Sequence, residues 1–259
     1  MRMMKKVLGT VTVLALSVSL LAGCGSTAAS PVSSVASTAA ESTTSSVVSE
    51  TTSAAADENV AAAAQLLNDL TGSYQELWPV ILADEYQQTW LDDCTALVGE
   101  ENAEAAFEKL SSMVTGDVYG ENAVKAYANG GGAYFCGFTN GLVTLTFDGE
   151  TSTISGTDKD GNVLFSHTYH YIGMEPVRGL YEFESDDADS GEFTYFFLAP
   201  DTSAETYHIE FRYGSDAEAL SQYDAGEYAY WLASGISTDC DQTMIDNCIE
   251  LFCTENLAG

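Results

Sequence analysis

Few side chains in this sequence are suited to holding a metal: there are three histidines, His167, His170 and His208, among 39 aspartates and glutamates. His208 and Glu210 are two residues apart in a segment, Thr206 to Tyr213, where apolar and polar residues alternate as on a strand. Both side chains then leave the same face and can reach one ion. An imidazole with a carboxylate is an acceptable zinc half-site. A plainer reading stands beside it, in which the two are a polar pair in the wall of a sheet. His167 and His170 are three apart, which on a strand turns them to opposite faces, so they do not share an ion.

Two acidic stretches, Asp158-Lys159-Asp160-Gly161-Asn162 and Asp186-Asp187-Ala188-Asp189-Ser190-Gly191-Glu192, carry carboxylates at alternate positions as calcium loops do. Neither completes the twelve-residue pattern that ends in a bidentate Glu. Asp, Asn and Gly are also the residues that turns use, so both read as solvated hairpin turns. Catalytic signatures are missing: there is no G-x-S-x-G elbow, no H-E-x-x-H helix and no Walker loop, and Gly130-Gly131-Gly132 lacks the Lys-Ser/Thr of a phosphate cradle. The sequence is read as a binding protein and not an enzyme. Beyond Cys24 come Cys94, Cys136, Cys240, Cys248 and Cys253, an odd set with no C-x-x-C pair. Single buried thiols are the expectation, with a bridge among the last three left open.

Local patterns say which elements must carry these residues. Asn59 to Leu70 is rich in alanine and reads as a helix, and Tyr74 to Asp93 and Ala103 to Val114 repeat the helical spacing. Strands are expected at Gly132 to Phe138, Leu142 to Phe147, Thr151 to Ser155, Val163 to Ile172, Tyr181 to Glu184, Phe193 to Leu198 and Thr206 to Tyr213. Asp241 to Thr254 returns to helix, with Asp239 and Asp241 near its start. Consecutive short strands flanked by helices imply a mainly β fold, a barrel or a sandwich.

Residues 1–23 carry Arg2, Lys5 and Lys6 before the apolar run Val7 to Leu21, as a secretory signal does, and the run closes on Leu21-Ala22-Gly23-Cys24. That ending looks like a lipobox, which makes Cys24 the lipidation site and the lipid the membrane anchor. Residues 24–56 are Ser, Thr, Ala and Val with few large apolar groups, and are read as a disordered tether. Residues 57–259 are the right size for one domain. This is the expectation for a lipoprotein on the extracytoplasmic face of a cell membrane. All 39 acidic residues follow Cys24, whereas only 5 of the 8 Lys and Arg do, so the mature chain carries −34. Such a field repels nucleic acid and concentrates cations.

Four segments carry a resemblance. Leu70-Thr71-Gly72-Ser73-Tyr74-Gln75 followed by Pro79 is similar to the opening "L-x-G-x-W/Y-Q…P" of the ZinT family, extracytoplasmic zinc-binding proteins with a lipocalin-like barrel. Arg178-Gly179-Leu180-Tyr181-Glu182-Phe183-Glu184 resembles "R-G-V-R-Y-L-F-E", one residue shorter, and Phe193 to Pro200 resembles "F-S-D-H-x-I-A-P". His208-Ile209-Glu210-Phe211-Arg212-Tyr213-Gly214-Ser215-Asp216 is similar to "H-F-H-I-R-Y-G-S-D". Together they span Asn68 to about Ile249. The resemblance implies a lipocalin-like (calycin) barrel with flanking helices, zinc (Zn2+) as the bound ion and a zinc ABC transporter as a partner for delivery. The family's three zinc histidines fall here on Phe196, His208 and Glu210. Phe196 cannot coordinate a metal, so further ligands would come from His167, His170, Glu205 or water. The alternative is a barrel that has lost the metal and binds a small apolar ligand or a surface partner, with Phe196 closing or lining the cavity.

Overall fold

The computed structural model describes residues 47–200 and 208–258, with side chains from residue 58 onward. Cys24, the expected signal segment, most of the expected tether and Glu205 lie outside the described residues. Among the described residues no helix is long and apolar enough to cross a membrane.

Eight strands close into one antiparallel barrel in simple sequence order, with β1 returning to pair with β8. They are β1 (Gly72–Glu76), β2 (Thr144–Asp148), β3 (Thr153–Thr157), β4 (Val163–Met174), β5 (Tyr181–Ser185), β6 (Tyr195–Leu198), β7 (His208–Gly214) and β8 (Ala233–Ser237). The expected barrel with flanking helices is therefore the observed fold. Among the described strands closure leaves no sheet edge open to another chain. The helices are α1 (Val47–Asp69), α2 (Leu77–Ile81), α3 (Gln87–Val98), α4 (Ala103–Ser112), α5 (Glu121–Ala128), α6 (Ala217–Leu220) and α7 (Gln242–Leu257).

Three sequence expectations need correction. Tyr74 to Asp93 is not one helix. Its first residues form β1, where Tyr74 pairs with Leu145 on one side and Ser237 on the other, and helix resumes in α2 and α3. A five-residue strand is too short to overrule the helical spacing of the residues after it. Gly132 to Phe138 forms no strand and makes only isolated bridges through Phe135, to Thr115 and to Trp231. Helix α1 begins at Val47, inside the stretch read as a tether, where the alanines favour helix strongly.

Two apolar layers hold the molecule together. The lumen is filled by inward residues, among them Tyr74, Leu145, Phe147, Ile154, Phe183 and Phe211, joined by Leu66, Leu67 and Leu70 of α1. At the β2–β3 turn Gly149 lies so close to the backbone of Asn68 that a Cβ would sit 2.4 Å from its Cα. The second layer lies outside the wall, where Ile236 of β8 packs with Trp78, Trp90, Leu110 and Ile249 from α2, α3, α4 and α7. The Trp90 indole N–H donates to the Ile81 carbonyl at 2.7 Å, fixing α3 to the end of α2. Asp241 caps α7 by accepting the Met244 N–H at 3.0 Å.

Candidate metal centre

Strand β7 sets the geometry. Ile209, Phe211 and Tyr213 are buried in the lumen, so the intervening His208, Glu210 and Arg212 point to the outer face. His208 and Glu210 are half-buried and lie opposite Ile236 and Ser234 of β8. They leave one face of one strand, as their spacing requires.

Phe196, on the position of the first family histidine, faces the other way. It pairs with Phe183 and Tyr213, both lumen residues, and is 0% exposed. Its ring stacks on Phe165 at 5.8 Å and Tyr213 at 5.3 Å, with Tyr169 edge-on at 5.4 Å. In this barrel the three motif positions therefore lie on opposite sides of the wall. A ligand inside the lumen would have to displace that aromatic stack, so Phe196 lines a packed core and not a ready cavity.

His167 and His170 do not complete the set. Both lie on β4, separated from β7 by β5 and β6, about 14 Å at ordinary strand spacing. His167 points inward between Phe165 and Tyr169, and its Nδ1 meets Asp187 Oδ2 at 2.8 Å. His170 points outward, with Nδ1 2.7 Å from Asp186 and Nε2 3.9 Å from Glu184. The two occupy opposite faces, as expected, and each is tied to a carboxylate of the β5–β6 loop. Among the described residues no three His, Cys, Asp or Glu side chains converge as a metal site requires. The acidic turn at Asp158 spends its carboxylate on its own loop: Oδ1 accepts the N–H groups of Asp160 and Asn162 at 2.9 and 2.8 Å. Hydrogen bonds from Asn162 hold the Asp158 carboxyl below the usual range.

Arg212 is the functional-looking residue whose role sequence reasoning missed. On the outer face beyond Glu210, it is 0% exposed, and its guanidinium is met by backbone carbonyls in place of a carboxylate. Its guanidinium donates to the carbonyls of Leu220, Gln222 and Tyr228 and lies 4.3 Å over the Tyr223 ring. Arg178 lies over the same ring at 4.5 Å, and the Tyr223 hydroxyl donates to buried Glu175 at 3.3 Å. Burial pulls the Arg212 pKa down and pushes the Tyr223 pKa up. Backbone carbonyls leave no trace in sequence spacing, so no motif could have announced this anchor. It fixes the end of β7 to the 220–228 loop and thereby holds the strand that presents His208 and Glu210.

Close to Glu210 is Cys136, whose backbone carbonyl accepts the N–H of Ser234, the β8 residue opposite Glu210. Burial pushes the Cys136 thiol up to about 12, and the Glu210 carboxylate adds to the rise. A cavity of about 330 Å³ adjoins Cys136, lined also by Glu76, Trp78, Leu82, Val114 and Phe135. Glu76 directs Oε1 to the N–H of Phe138 at 2.6 Å.

No family model matches this chain, and no curated protein matches it. Among solved structures it is similar to the Zn(II)-bound ZinT-like domain of Streptococcus pneumoniae AdcA, with a TM-score of 0.45 and 16% identity over 71% of this chain and 89% of that one. Zn(II)-bound AdcA from the same organism gives a TM-score of 0.42 and 14% identity, over 72% of this chain and 35% of that one. At such distances no ligand is carried from those proteins to this one.

Proposed function

We propose that this domain is a binding module, not an enzyme, that captures a divalent cation reversibly, with zinc as the ion. The observation that carries the reading is the placement of His208 and Glu210 two residues apart on β7, on one face and both partly open to solvent. An imidazole and a carboxylate supply two ligands, and water fills the remaining positions of a tetrahedral ion, which makes for exchangeable rather than structural binding. The charge balance supports the same reading. Only five cations, Lys109, Lys125, Lys159, Arg178 and Arg212, follow Cys24 to offset 39 carboxylates. Cations therefore accumulate around the domain before any specific contact forms. In the same proposal Cys24 carries the lipid that holds the protein to the extracytoplasmic face of the membrane, and the bound ion is handed to an ABC transporter.

Calorimetric titration of the chelator-stripped protein with zinc tests the site. One-to-one binding at micromolar affinity or tighter is expected, weakened about tenfold or more in His208→Ala and in Glu210→Gln, since each removes a direct ligand where even an outer partner is worth 10-fold or more. Weak, multi-site uptake that ignores both substitutions would show that the acidic surface alone attracts the ion.

A further inference from the structure

The outer helical layer holds a pair of sulfurs that the metal reading does not use. Cys94 on α3 and Cys253 on α7 are each 0% exposed, and their Sγ atoms are 3.9 Å apart. Both belong to the layer built by Trp90, Leu110 and Ile249, which packs the inner faces of the two helices that carry them. In the reduced chain the sulfurs are at van der Waals contact, and a disulfide needs about 2.05 Å, a gap that modest χ1 rotations on the two helices can close.

We infer that Cys94 and Cys253 form an intramolecular disulfide that staples α3 to α7. Other pairings are poorer. Cys248 lies five residues before Cys253 on α7, about 140° around the helix, so α7 cannot aim both sulfurs at Cys94 together. Cys136 sits beside the cavity at Glu76 and Cys240 in the turn before α7. The proposed pairing is long-range, in place of the bridge among Cys240, Cys248 and Cys253 that the sequence left open.

The chemistry is thiol–disulfide exchange with a small-molecule disulfide or a disulfide-bearing oxidoreductase. One protein thiolate attacks the external disulfide, forming a mixed disulfide and releasing one external thiol. The second protein thiol loses its proton and attacks the protein sulfur of that mixed disulfide, releasing the other external thiol. Two protein thiols are oxidised to one disulfide, and the external disulfide is reduced to two thiols. Burial raises both protein thiols above their ordinary range, so neither ionises readily once the layer has closed. Exchange therefore takes place while α7, the last of the described helices, is undocked, during folding or local opening.

The consequence is a covalent loop closed between residues 159 apart in sequence that contains β2 to β8. Closing so long a loop removes much of the unfolded chain's freedom, and a rise in melting temperature of roughly 10 °C over the reduced form is expected.

The test uses the whole chain. The protein is unfolded in urea, refolded with oxidised and reduced glutathione, alkylated and digested without reductant. A peptide pair linking Cys94 to Cys253, lighter by two hydrogens and split by dithiothreitol, is expected, together with the higher melting temperature before reduction. Cys248→Ala should keep the link and Cys94→Ala should lose it. Full alkylation of both cysteines in refolded wild type, or a link that maps to Cys248, would overturn the assignment, and because the wild-type map decides, a variant that fails to fold does not blur the answer.

Discussion

Phe196 decides how much of a three-histidine site this chain can reproduce, and its lesson is about direction rather than identity. Sequence matching showed that an aromatic stands where the ZinT pattern has histidine, but not that the position faces the lumen while His208 and Glu210 face outward. Facing depends on register between β6 and β7, which a motif read along one strand does not contain. Placing the histidine of the ZinT pattern there should therefore fail. In Phe196→His the aromatic stack loses a ring and gains a buried polar group, at a cost of about 3 kcal/mol or more. Zinc affinity should stay that of wild type, because the new imidazole projects away from His208. Urea denaturation gives the first quantity and calorimetric titration the second. A gain in affinity would mean that β6 presents this position to the outer face in solution. Arg212 makes a similar point: its partners are carbonyls of a loop 8 to 16 residues further along, so its type could be read and its anchoring role could not.

Among the elements, those with a strong alternating pattern were legible and those without one were not. Strand β7 alternates buried and half-buried residues over its first half, and β4 to β6 carry the aromatic and β-branched residues that mark strands. Strand β8 is Ala-Ser-Gly-Ile-Ser and escaped notice because it is buried on both faces, by the lumen inside and by α2 and α7 outside, so small residues replace the alternation. Glycine within a strand carries a related message. Gly156 of β3 faces the lumen, where an added Cβ would lie 2.3 Å from Leu142 Cδ1 and 2.5 Å from Phe165 Cε1. The lumen is packed around the missing side chain. Gly156→Ala should accordingly cost about 1–3 kcal/mol through displaced Leu142 and Phe165, although alanine would usually strengthen a strand relative to glycine. A lower urea midpoint with an unchanged slope would confirm that overpacking, whereas an unchanged midpoint would show that the lumen yields.

For the whole molecule, charge and buried tyrosine set how stability follows pH. The Asp93 carboxyl is raised by burial, then by Glu250, Asp246 and Asp92, and that of Glu182 by burial, then by Glu175. A carboxyl that holds its proton more tightly when folded contributes stability that is complete below its unfolded pKa, near 4, and is lost as pH rises through the folded value. Tyr169, Tyr213 and Tyr223 are raised too, chiefly by burial, so their contribution is intact below about pH 10 and is lost above it. Asp158 pulls the other way, but only below the usual carboxylate range. Both raised sets bind more protons in the folded state, which gives the same sign: stability falls as pH rises. The surplus of 39 carboxylates over the 5 Lys and Arg of residues 24–259 adds self-repulsion in the same direction. The urea midpoint should thus be higher near pH 4 than at pH 8.5 and should drop steeply above pH 10. Over that last interval the tyrosinate absorbance of the three buried rings should appear together with loss of the folded circular dichroism. A flat midpoint from pH 4 to 8.5 would mean that the carboxylates relax apart at no cost, and full tyrosine ionisation in a still-folded protein would mean that the sites of the buried rings admit hydroxide.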